Sequence, residues 1–283
     1  MLNGCAYILT VDVGNTFIRF GLFAEDSAAA QERPLATCEI TTPARITVDE
    51  VRMCLAQVMA ALAADAGMPG VLVPAAAVLS CVVPALERPW KTALSRTCTG
   101  RVLTVGPGLK TGMPVRYDDP AEIGPDRIAD AVAARAVYGS PCIVIDLGTT
   151  TNIEVIDARG IFVGGVIAPG LALGARSLSA AAARLPQVEP SAPTHVIGRN
   201  TREAMRSGVV LGEVARIDGM LDMVLAEMRS TKAAGEAGVP IVITGDDAEA
   251  LAALVGHSLT VDDALTLRGL AELYHINQKP RRA

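Results

Sequence analysis

Two apolar runs end in the same kind of turn, and this duplication constrains the fold more than any other feature of the chain. Ile8 to Val13 leads into Asp12-Val13-Gly14-Asn15-Thr16, and Cys142 to Ile145 leads into Asp146-Leu147-Gly148-Thr149-Thr150. The two turn aspartates are 134 residues apart. Strand-like runs follow each turn: Phe17 to Phe23 and Leu35 to Ile40 after the first, Ile153 to Ile156 and Ile161 to Ile167 after the second. An offset of this size is a domain length and not a solenoid period. A chain of 283 residues also fits about two domains. The expectation is an α/β protein of two similar lobes, each opening on an Asp–Gly turn. The expected division is an N-terminal lobe, 1–120, and a C-terminal lobe, 121–283.

Such lobes need an aliphatic core. Hydrophobic residues make up 51% of the chain and aromatics only 3%, which suits Val/Ile strands under Ala-rich helices. Val51, Cys54, Leu55, Val58 and Leu62 recur at helical spacing and predict a helix over Thr47 to Ala64. Further helices are expected around Ala172–Ala183, Arg202–Met228, Ala248–Val255 and Ala264–Tyr274. Val102–Val105 and Val239–Ile243 read as strands. No charge lies between Asp65 and Glu87, a length that raises the question of a membrane span. Pro69, Gly70, Pro74 and Pro84 interrupt it, so it reads as a loop entering a short buried strand, Ala76 to Val83.

Composition excludes several function classes. The net charge of −5 and the few aromatics argue against a nucleic-acid face. The basic tail Lys279-Pro280-Arg281-Arg282 reads as a solvated end. Cys5, Cys38, Cys54, Cys81, Cys98 and Cys142 form no C-x-x-C pair, and there are three His. Neither a zinc site nor a disulfide framework is expected, and a reducing compartment is. With Asp12 early and no basic leader, no signal peptide is expected, and the location read from these features is cytoplasmic.

The Asp–Gly turns carry the sharpest chemistry. Glycine lets backbone approach a phosphate, and successive turn N–H groups point at anionic oxygens. An aspartate at the strand end can hold Mg²⁺ directly or through water. A second glycine loop, Gly106-Pro107-Gly108-Leu109-Lys110-Thr111, fails as a Walker loop because Leu109 stands where glycine is required. It also fails the dinucleotide fingerprint at Thr111. Ile123-Gly124-Pro125-Asp126-Arg127 opens a helix, where Asp126 in the first turn complements the helix dipole.

These segments, in this order, resemble the type III pantothenate kinases along nearly the whole chain. Asp12 to Thr16 with Phe20-Gly21-Leu22-Phe23 is similar to that family's first phosphate loop. Ser80-Cys81-Val82-Val83-Pro84, Gly106 to Gly112, Arg116-Tyr117-Asp118-Asp119-Pro120 and Gly124-Pro125-Asp126-Arg127 follow in the family's order. Leu185-Pro186-Gln187-Val188-Glu189, Ile197-Gly198-Arg199-Asn200-Thr201, Ala204 to Gly208 and Leu265 to Leu270 complete the match. Where the family usually has Gly-Thr-Ala-Thr-Thr-Phe-Asp, this chain has Gly148-Thr149-Thr150-Thr151-Asn152-Ile153-Glu154. Pro125 replaces the usual Ala, and Thr244-Gly245-Asp246 the usual Thr-Gly-Gly.

The resemblance implies two actin/hexokinase-like (ribonuclease H-like) lobes with a central cleft, and phosphorylation of pantothenate by ATP. It implies Asp126 as general base, with Tyr117, Gly124, Pro125, Asp126 and Arg127 holding pantothenate and Thr201 completing a site across a homodimer. ATP would meet Asp12, Val13, Gly14, Asn15, Thr16, Phe17, Ile18 and Arg19, and also Thr149. Asp12 would serve Mg²⁺, and Asp146 a monovalent cation, K⁺ or NH₄⁺. No membrane partner is implied. Two alternatives stand beside this reading: a kinase of the same fold acting on another small hydroxylated acceptor, and a non-catalytic regulatory relative.

Overall fold

The computed structural model describes residues 6–26, 32–70, 72–235 and 238–278. The basic tail, Cys5 and Val71 lie outside them. In chain order the elements are β1 (Tyr7–Val13), β2 (Phe17–Ala24), β3 (Ala36–Thr41), α1 (Val48–Asp65), β4 (Ala76–Cys81), α2 (Pro84–Thr97), β5 (Val102–Thr104) and α3 (Pro125–Tyr138). Then come β6 (Cys142–Leu147), β7 (Thr150–Ile156), β8 (Phe162–Pro169), α4 (Leu171–Ala181), α5 (Thr201–Arg206), α6 (Gly212–Ser230), β9 (Ile241–Gly245), α7 (Ala248–Ala252), β10 (Thr260–Val261) and α8 (Leu265–Ile276).

They form two compact units. The first runs to Val137 and resumes at Ala264; the second is Tyr138–Asp263. The expected division at residue 120 therefore falls elsewhere, and the last helix belongs with the first sheet. The reason is close packing between helices far apart in sequence. A Cβ on Gly269 of α8 would sit 1.9 Å from the Ala129 carbonyl oxygen of α3. Only a glycine there lets the two helix backbones touch.

In the first unit the sheet order is β3-β2-β1-β4-β5, with β1, β4 and β5 parallel and β2 antiparallel to both β1 and β3. Leu9, Val11 and Val13 alternate onto the face covered by α1 and α2. Thr10 and Asp12 take the opposite face. There α8 packs on β1, β2 and β4, and a Cβ on Gly21 would lie 3.3 Å from Leu267 Cβ. Helix α1 starts where expected, on a capping box in which the Thr47 hydroxyl accepts from the Glu50 N–H and the Glu50 carboxylate accepts from the Thr47 N–H. Helix α2 was not expected, because Pro84 reads as an interruption of the apolar stretch. Pro84 instead occupies the first turn, where its missing N–H costs nothing, and Leu86, Trp90, Ala93 and Leu94 are buried. Trp90 packs on Phe20 with ring centroids 5.6 Å apart.

The second unit repeats this plan. Its sheet order is β10-β9-β6-β7-β8, so β6 stands where β1 does, flanked by antiparallel β7 and parallel β9. Ile143, Ile145 and Leu147 face α6, with Val210, Val214, Ile217 and Leu221. The helix expected over Arg202–Met228 runs without a gap from Thr201 to Ser230, with a π-helical turn, Ser207–Leu211, between α5 and α6. Among the described residues no helix is long and apolar enough to cross a membrane. The five described cysteines are free thiols.

Candidate functional site

Asp12 closes β1, directly opposite Arg19 of β2 and Ser80 of β4. It is only 8% exposed, and its Oδ1 has no hydrogen-bond partner among the described residues. Burial pushes its carboxyl from an ordinary 3.8 up to about 6. The Asp126 charge adds to the rise, while the Ser80 hydroxyl and Arg19 oppose it. Two acids that read each other's charge lie close in space, so β1 and α3 bring Asp12 and Asp126 together within the first unit.

The start of α3 is built for the Asp126 carboxyl. Pro125 fills the first helical position, and the Ile128 N–H donates to the Gly124 carbonyl. Asp126 Oδ1 accepts from the Arg127 N–H at 2.8 Å. A Cβ on Gly124 would meet that same oxygen at 2.3 Å, so glycine is required for the carboxyl to fold back. Burial raises the Asp126 pKa against the lowering pull of the Arg127 N–H and guanidinium. Arg127 itself is buried, and Tyr117 is half-buried in the loop before α3.

The first turn is braced from β3. Gly14 N–H donates to the Phe17 carbonyl at 3.0 Å, the Thr42 hydroxyl to the Gly14 carbonyl at 2.8 Å, and the Thr42 N–H to the Thr16 carbonyl at 2.9 Å. Asn15 and Thr16 are exposed at the tip. Val13 and Ile18 are wholly buried in the α1/α2 core, so only their backbones are available to a ligand. Arg19 pairs with Glu39 at 2.9 Å and lies over the Phe17 ring. Thr42 carries no signal in the sequence, and Ser80 enters there only within a motif of the resemblance; chain pairing places both here.

In the second unit Asp146 closes β6, opposite Asn152 of β7 and Thr244 of β9. This turn is one residue shorter: residues 148–150 lie between paired Leu147 and Thr151, against 14–17 between Val13 and Ile18. Gly148 N–H donates to the Thr150 carbonyl at 2.9 Å, and Thr149 is half-buried. Gly245, at φ +89°, packs so tightly that a Cβ would meet the Leu147 carbonyl oxygen at 2.1 Å and Asp146 Oδ1 at 2.8 Å. The Asp246 N–H donates to the Leu147 carbonyl at 2.6 Å, so Thr244-Gly245-Asp246 is folded onto the Asp146 turn. Thr201 is exposed at the start of α5, behind an Asn200 cap whose Oδ1 accepts from the Glu203 N–H. Among the described residues it makes no side-chain hydrogen bond to the other expected site groups.

Both turns suit cations. Asp12 offers a buried carboxylate oxygen without a partner, a donor that a hard divalent ion takes readily. Asp146 stands opposite a buried carboxamide and a buried hydroxyl, a set of one charge with neutral oxygens. Among the described residues no group of three or more His, Cys, Asp or Glu could hold a metal.

Comparison with known proteins agrees along the chain. Residues 8–223 match the profile of the type III pantothenate kinase family. The chain is 39% identical over 274 residues to the type III pantothenate kinase 2 of Symbiobacterium thermophilum, covering 96% of this chain and 97% of that one. The type III pantothenate kinases of Rhodospirillum centenum and Nocardia farcinica are each 40% identical, covering 95% and 97% of this chain and 98% and 99% of theirs. A solved Campylobacter jejuni structure, named for the Baf family of transcriptional activators, superposes with a TM-score of 0.56 at 19% identity. It covers 95% of this chain and 98% of its own, which shows a shared fold. Sequence similarity that holds over nearly the full length of chain and relative alike makes this protein a member of the type III pantothenate kinase family, the kinases that phosphorylate pantothenate in coenzyme A biosynthesis.

Proposed function

We propose that this protein transfers the γ-phosphoryl group of ATP to the hydroxyl of pantothenate with Asp126 as the base and Asp12 as the neighbouring acid that serves Mg²⁺. The observation that carries the assignment is the nearness of two carboxyls, the buried Asp12 at the end of β1 and the half-buried Asp126 at the start of α3, whose charge helps raise the Asp12 pKa. In the transfer the acceptor oxygen forms a bond to the γ-phosphorus while the bond from that phosphorus to the bridging oxygen breaks, releasing ADP. The acceptor proton passes to the Asp126 carboxylate, whose raised pKa brings it closer to the working pH of a general base.

Arg127 would pair with the pantothenate carboxylate, where a planar guanidinium matches a planar anion. Tyr117, Gly124 and Pro125 would line the acceptor. The turn from Asp12 to Arg19 would present its backbone N–H groups to ATP phosphates, and Thr149 would be a further ATP contact. Mg²⁺, when bound, neutralises charge on the phosphoryl oxygens. Asp146 would hold K⁺ or NH₄⁺. Thr201 would complete the site of a second copy in a homodimer working in the cytoplasm.

The test is ADP release in the presence of pantothenate, with and without K⁺ or NH₄⁺. Pantothenate-dependent release that falls by about 10² to 10⁴ in kcat on Asp126→Asn supports the assignment. Full activity in Asp126→Asn removes it as the base, and release that ignores pantothenate but follows another hydroxylated acceptor reassigns the substrate.

A further inference from the structure

We infer that Asn152 supplies an oxygen ligand to the monovalent cation proposed at Asp146, and so sets which ion that site prefers. The inference rests on the reading of Asp146 given above and extends it to a residue that reading leaves without a role.

The two copies of the turn share one plan and differ at one neighbour. In each, an aspartate ends the central strand, and the parallel neighbour places a hydroxyl at the same register: Ser80 beside Asp12, Thr244 beside Asp146. The antiparallel neighbour differs. Opposite Asp12 stands Arg19, a fixed positive charge that lowers the carboxyl's pKa. Opposite Asp146 stands Asn152, which brings no charge. Residues directly opposite on antiparallel strands share a face, with Cβ atoms about 5 Å apart. Side chains so placed can turn their oxygens toward one ion held between them.

Asn152 is itself an anomaly. It is 5% exposed, and its Oδ1 is buried with no hydrogen-bond partner among the described residues. A buried acceptor left unmet is costly, and native proteins rarely keep one without a use. Two residues on, Glu154 adds a buried acid to the same face of β7. A carboxylate, a carboxamide oxygen and a hydroxyl at one register are hard oxygen donors with one charge among them, a set that balances a monovalent cation. A carboxamide oxygen can coordinate K⁺ or accept a hydrogen bond from NH₄⁺, so its reach bears on the choice between them.

The experiment reads binding and not turnover. Thermal unfolding of the full chain is followed while KCl, NH₄Cl or NaCl replaces choline chloride at constant ionic strength, with and without ADP. The wild-type midpoint should rise saturably with K⁺ or NH₄⁺. In Asn152→Leu the half-saturating concentration should increase roughly tenfold or more. Asn152→Asp, which keeps the oxygen, should retain the response, and Asn152→Thr should change the K⁺ to NH₄⁺ ratio. The cooperative transition in choline shows that each variant folds; if Asn152→Leu fails there, the Thr and Asp variants carry the test. An Asn152→Leu response equal to wild type, with the response lost in Asp146→Asn, overturns the role of Asn152 and leaves the Asp146 site standing. No response in the wild type under any condition overturns both.

Discussion

Asp12 holds a charge where burial opposes one. Its folded pKa of about 6 exceeds the ordinary 3.8, so between those values the folded chain binds a proton that the unfolded chain has released. Stability therefore falls as pH rises from about 4 to 6, and above 6 the full cost remains, up to about 3 kcal/mol. Asp12→Asn should stabilise the ligand-free protein at pH 7.5 by as much as that, the gain vanishing near pH 4, while kinase activity is lost. Denaturant unfolding across pH, beside ADP release, checks both halves. Asp126 differs in its consequence. Its pKa is raised too, so kcat/KM should fall on the acid side at a higher pH than an ordinary carboxylate would give, as the base becomes protonated. A pH–rate profile whose acid limb stays at ordinary carboxylate pH would contradict this. Of the acids, Asp12 and Asp146 were legible from the residues alone, because the turn recurs. Asp126 was legible through family resemblance, since one acid in a first helical turn is ordinary. Ser80, Thr244 and Asn152 were not, because their placement depends on register between strands up to about a hundred residues apart.

At the scale of elements, the position of Asp126 depends on α3, and that of α3 on α8. The contact of Gly269 with the Ala129 carbonyl leaves no room for a methyl group. Gly269→Ala should force the helices apart, costing about 1–3 kcal/mol, and lower kcat through displacement of α3. Unfolding midpoints and steady-state kinetics measure the two effects separately; a variant with wild-type values in both would show that the helices yield freely. The helix faces were readable where a stripe of large apolar residues recurred, as in α1. The α3–α8 contact was not, since its signature is one small residue. Proline misled at α2 because its meaning depends on position in the helix, and the turn between α5 and α6 has no periodic signal of its own.

The whole molecule is two copies of one sheet plan, of which the first is discontinuous in sequence. Tyr138 and Asp262, at the two ends of the second unit, are joined by a 2.9 Å hydrogen bond from the Tyr138 hydroxyl to Asp262 Oδ2. The chain thus leaves and re-enters the first unit at neighbouring points. Residues 1–137 joined to 264–283 by a short Gly/Ser linker should fold cooperatively, and residues 1–137 alone should not. Circular dichroism and thermal unfolding of the two pieces decide; equal, cooperative melting of both would show that α8 is dispensable. The duplication itself was visible in the turns. The exchange of the last helix into the first unit was hidden, because composition does not change across Ala264.

The late return of α8 also sets an order of events during synthesis. The strand that carries Thr10 and Asp12, β1, leaves the ribosome before the second unit, yet the helix that covers that face is made only after the 126 residues from Tyr138 to Asp263. At elongation speeds of about 5–20 residues per second the interval is on the order of ten seconds. A strand made early is thus covered late, and through that interval α8 is missing from the face that Thr10 and Asp12 share.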